Sequence, residues 1–146
     1  MGRADDHDRP PGVDDDTVAA TGKLSEALEW VERARGRLYD FHQMMGRADF
    51  LVDDAADLLE KAGHAEDADR LRTTLVGRNV LDGRWTFQII EEFDDGYWSP
   101  FREEERRVRE ALVGGRRHLF ESEMKERRRT HGQPRHESRP LDAGEG

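Results

Sequence analysis

The sequence predicts an all-α protein, an irregular bundle of four to five helices with disordered N- and C-terminal arms. Three observations predict it. Apolar residues recur at steps of three and four through most of residues 24–129, the period of a helix with one buried face. Residues 24–124 hold 42 of the 50 hydrophobic residues and all 11 aromatics, so the apolar material for a core sits in one stretch of about 100 residues. The one strand-like alternation, Trp85, Phe87 and Ile89, has no second strand to pair with, and a lone strand leaves its backbone unsatisfied.

Residues 1–23 read as a disordered acidic arm, broken at Pro10-Pro11-Gly12 and carrying Asp14, Asp15 and Asp16. Ser25 reads as the cap of a first helix. Its stripe is Leu24, Ala27, Leu28, Val31, Ala34, Leu38, Phe41 and Met45, and Gly46 is its expected stop. Asp49 then caps a second helix with the stripe Leu51, Val52, Ala55, Leu58, Leu59 and Ala62, stopped by Gly63. The short link between them predicts an antiparallel hairpin.

A third helix is expected over about 64–76, closed by Gly77, and a fourth over about 84–95 after the Asp82-Gly83 turn. Ser99-Pro100 has the residue order of a helix start. Phe101, Val108, Ala111, Leu112, Leu119 and Phe120 carry the pattern on to about Arg129. Gly114-Gly115 interrupts it, either as a hinge or where a neighbouring helix comes close. Residues 24–129 thus form the helical domain, and 130–146 a disordered tail.

Charge narrows the function classes. The net charge is −9, with −3 in residues 1–23, −8 in 24–124 and +2 in 125–146. An acidic body repels phosphates, so neither nucleic acid nor an anionic membrane is the expected partner. No apolar run approaches the roughly 20 residues of a membrane span, and no apolar leader segment opens the chain. Zero cysteines exclude disulfides, thiolate zinc sites and Cys nucleophiles. The expected location is the cytoplasm.

Four groups of residues could carry chemistry. His42, His118, Glu121, Glu91 and Glu92 are the types that bind a divalent metal inside a helical bundle. The bundle spacing Glu-x-x-His is absent, and His118 and Glu121 give it once in reverse. The run Glu91-Glu92-Phe93-Asp94-Asp95 resembles the Glu-Glu-x-x-Glu element of all-α nucleotide pyrophosphohydrolases. The second element of those enzymes, Glu-x-x-Asp, does not follow it. Six aromatics fall between Trp85 and Phe101, and of these Trp85, Tyr97, Trp98 and Phe101 form the expected interaction surface. The basic stretch Lys125-Glu126-Arg127-Arg128-Arg129 suits a helix C-terminus, where the dipole favours cations.

Catalytic signatures are thin. No Ser lies in a G-x-S-x-G elbow, and neither G-x-G-x-x-G nor a phosphate-binding G-x-x-x-x-G-K-[ST] occurs. The stretches FHQMMGRADFLVDDAADLL and GRNVLDGRWTFQIIEEFDDGYW resemble a small uncharacterised α-helical family of high-GC bacteria with no known function attached. The resemblance covers residues 24–130 and implies a genuine domain, with no functional residue to carry over.

The expectation is a non-enzymatic interaction or accessory protein, with a protein partner or self-association and no cofactor. The alternative is a metal-binding bundle or metal-dependent enzyme using the His and carboxylate groups named above.

Overall fold

The computed structural model describes residues 7–139 and is all-α, with no strand among the described residues. Helix α1 spans Asp15–Lys61, α2 Ala65–Thr74, α3 Thr86–Phe93, α4 Ser99–Val113 and α5 Leu119–Arg128. A π-helical turn, Asp94–Trp98, joins α3 to α4. The expectations for residues 1–6 and 140–146 lie outside the described range. From Thr130 to Arg139 no helix forms, in line with the expected tail.

Three local expectations are corrected. The first helix starts at Asp15, not at residue 24. The acidic cluster read as part of an arm is its cap and first turn. Asp14 Oδ1 accepts the Thr17 backbone N–H at 2.8 Å, and Asp15 and Asp16 face the positive end of the helix dipole. Ser25 is therefore an interior helical residue and not a cap.

The hairpin between residues 24–45 and 49–62 does not form, because α1 runs straight through Gly46. A helical Gly costs about 1 kcal/mol relative to Ala, which packing on both sides of it outweighs. Ser99 is not a cap either. It has helical dihedrals, and its N–H reaches Asp94 O, five residues back. Pro100 removes a donor and crowds the preceding turn, and the wider π turn takes up that defect.

The other boundaries follow the glycines. Gly63 (φ +89°) closes α1, with the His64 N–H donating to Leu59 O at 2.8 Å. Gly77 and Gly83 adopt positive φ in the turns after α2 and before α3. Gly114 and Gly115, at φ +63° and +75°, end α4 and separate it from α5.

The described chain divides into two compact units, residues 7–29 with 102–139 and residues 30–101. In the first, Val18, Val113 and Leu119 form a small core with Val13 against it. A Cβ placed on Gly22 would lie 3.0 Å from Phe120 Cβ, so the absence of a side chain at Gly22 suits the close approach of α5 to α1. Glu105, 7% exposed, accepts from Ser25 Oγ at 3.0 Å and from Arg109 Nε at 3.1 Å. Arg109 also donates to Gly115 O at 2.6 Å and so ties the glycine turn to α4. Arg9 makes two hydrogen bonds to Glu123, at 2.9 and 3.0 Å, fastening residues before α1 to α5.

In the second unit the chain after α1 returns antiparallel along it. Arg72 meets Asp57, Gly77 meets Asp49, Thr86 meets His42, and Asp94 meets Arg35. Ala56, Ala68 and Ile90 are the buried apolar residues here.

Candidate interaction surface

Two rows of residues run along α1 within the second unit. The inward row is 31, 35, 38, 42, 45, 49, 52, 56 and 59, all buried or half-buried. Its steps alternate four and three, the 3.5-residue period of a helix that keeps one seam on a neighbour. Three of its positions are polar, seven residues apart, and each has a specific mate on the returning chain.

Asp49 Oδ1 accepts the Gly77 N–H at 2.8 Å. His42 Nδ1 lies 2.6 Å from Thr86 Oγ1. Arg35 grips both Asp94 oxygens, at 2.8 and 3.0 Å, and its guanidinium lies 3.8 Å from the centroid of the Trp98 ring. The Arg35 hydrogen bonds hold the Asp94 carboxyl below the usual carboxylate range, against the opposing effect of burial. A half-buried polar group needs its own partner, so these three contacts favour one alignment of the returning chain over its slips.

The aromatic connection divides in two. Trp85 and Tyr97 are 56% and 53% exposed. Trp98 and Phe101, expected beside them, are half-buried. The Trp98 indole N–H donates to Glu32 Oε1 at 3.0 Å, while its ring face lies against Arg35. Phe101 ends a ladder of rings, with Phe93 5.7 Å from Tyr97 and Tyr97 5.9 Å from Phe101. Trp98 and Phe101 therefore brace the connection, and Trp85 and Tyr97 present it.

The expected metal-binding groups are distributed otherwise. His42 is occupied with Thr86 as above. Glu91 and Glu92 are exposed, and Glu92 pairs with Arg84 at 3.0 Å. His118 sits at φ +56° in the turn before α5, its Nδ1 4.0 Å from Glu121 Oε2. Among the described residues, no three His or carboxylate groups converge in a way that could hold a metal ion. Asp94, the fourth residue of the five-residue acidic run, is committed to Arg35. In the basic stretch, Glu126 accepts from Arg129 and His131, which hold its carboxyl down to about 2.

No family model, curated protein or solved structure matches the chain. Its surfaces stand on their own chemistry.

The second row, along α1 and one residue past its end, is 30, 34, 37, 41, 44, 48, 51, 55, 58 and 62, one residue before the inward row and about 100° around the helix. Every member is exposed. Its large residues are Trp30, Phe41, Met44, Leu51 and Leu58, at 62%, 39%, 66%, 50% and 66% exposure. Alanines occupy four more positions, and Arg37 is the only charge in the row.

Sequence reasoning assigned Ala34, Phe41, Leu51, Ala55, Leu58 and Ala62 to inward stripes and passed over Trp30 and Met44. The signal was present: apolar residues at both i and i+1, repeated every three or four, describe two faces and not one broad face.

Proposed function

We propose that this chain is a non-enzymatic interaction protein whose contact surface is the outward face of its second unit. The observation that supports the reading is the outward row of α1. Single exposed apolar residues are ordinary on any surface. A row of five large ones on one helix face, spaced with alanines, is the contiguous patch that marks an interaction site.

Trp85 and Tyr97 add rings of the amphipathic kind that anchor interfaces. Among the described residues no three His or carboxylate groups converge, and no specific observation favours the metal reading.

Photo-crosslinking tests this directly. A benzophenone amino acid placed at Trp85 or at Leu58, which is 66% exposed, should give discrete covalent adducts in native lysate. Absence of any adduct from both positions contradicts the proposal.

A further inference from the structure

We propose that a second copy of this chain docks antiparallel on the outward row of α1. This rests on the interaction reading above and names its partner.

Consider first how two such rows would meet. In an antiparallel pair, positions on the two strands of a seam combine so that their numbers sum to a constant. Setting Phe41 level with the partner's Met44 fixes every other layer. Trp30 then faces the partner's Ala55, and Ala34 faces the partner's Leu51. Arg37 faces the partner's Ala48, where its long stem can lie over a small residue and its head reach water. Apart from the central Phe41–Met44 layers, Trp30 and Leu51 each meet an alanine, the size alternation that lets two helices approach and interdigitate.

Charge supports the same register independently. The row that flanks the seam, one residue before Ala34, Phe41, Ala48 and Ala55, is Arg33, Asp40, Arg47 and Asp54. All four are exposed, and their sign alternates. In the register just described, Arg33 lies opposite the partner's Asp54 and Asp40 opposite the partner's Arg47. The two-fold axis doubles these to four opposite-sign pairs. Sliding either helix by seven residues keeps the apolar layers in phase but brings Arg33 to the partner's Arg47, or Asp40 to the partner's Asp54. The charges therefore select one register among apolar alternatives.

Area is sufficient as well. The four large side chains paired in these layers leave on the order of 500 Å² in water per copy, so pairing removes on the order of 1,000 Å², the size a specific interface must clear.

Sedimentation equilibrium of the full chain tests the pairing. The expected particle holds two copies of the 16.9 kDa chain. Met44→Glu and Leu51→Glu should each give a single copy. Asp40→Arg and Arg47→Asp, both at exposed positions, should each raise the dissociation constant about tenfold, and the double reversal should recover most of that loss. Circular dichroism of each variant checks that helix content is kept, and the charge reversals carry the test if a Glu variant unfolds.

A wild-type monomer at about 100 μM overturns the proposal. So does a dimer indifferent to both Glu variants, or a double reversal as weak as the singles. If the chain is monomeric yet still gives photo-adducts of some other mass at Trp85, self-pairing falls and the interaction reading survives.

Discussion

The two faces of α1 in residues 30–61 have the same period and opposite chemistry. The inward row contains Arg35, His42 and Asp49, and each is answered by a group on the returning chain. The outward row contains Trp30, Met44 and Leu58, and the chain that folds back does not cover them. Usually polarity faces out and apolarity in. Here polar residues within the seam specify an alignment, while the face turned to water keeps the greasier composition. The difference teaches that hydrophobicity alone does not say which side of a long helix its own chain will cover. Partners elsewhere in the sequence decide that.

Substitutions that hit the inward side should cost folding stability. Ile90→Ala, at a position 6% exposed, should cost about 2–4 kcal/mol in urea unfolding. Met44→Glu on the outward face should change the stability of the separated chain by less than about 0.5 kcal/mol. Equal losses would erase the distinction between the faces.

Arg35→Ala removes a two-bonded carboxylate contact and the stack on Trp98, and should cost about 2 kcal/mol. It also carries a pH signature. The Asp94 carboxyl is depressed in the folded chain, so its contribution is full above the unfolded value, near 3.8. It is lost as pH falls through the lower folded value. Stability measured from pH 5 downward should therefore fall more steeply in the wild type than in Arg35→Ala below about pH 4. Parallel curves would show that the pair contributes nothing.

Glycines sharpen the contrast at smaller scale. Gly22→Leu drives a side chain into Phe120 and should cost about 1–3 kcal/mol. Gly46, also helical, has nothing within 4 Å of a built Cβ. Gly46→Ala should raise stability by about 0.5–1 kcal/mol in thermal unfolding. A loss at Gly46 would mean that α1 is interrupted there.

That last position also shows what was legible in the sequence. The helical class, α2, the Asp82-Gly83 turn and the Gly114-Gly115 break follow from local patterns, and the structure has them. Gly46 carries the same local signal as Gly63, yet one is helical and the other sits at φ +89°. What separates them is the phase of the rows around them. Val31, Leu38, Met45, Val52 and Leu59 keep seven-residue spacing across Gly46, and nothing continues it past Gly63. Ser25 shows the same point: a capping residue within an unbroken helical period is only a polar residue. Of the expected surface, Trp85 and Tyr97 are exposed. The demands of Glu32 and Arg35 on Trp98 were invisible, because they join residues more than 60 positions apart.

The absence of cysteine allows single labelling sites to be introduced cleanly, so the distance between two copies of α1 can be measured. With a nitroxide at Gln43→Cys and, separately, at Lys61→Cys, electron–electron dipolar spectroscopy reads the register. An antiparallel pair centred near residue 43 places the first labels about 20 Å apart. With 1.5 Å of rise per residue, it places the second pair about 55 Å apart. Short distances at both sites, or no dipolar coupling at either, would contradict the account.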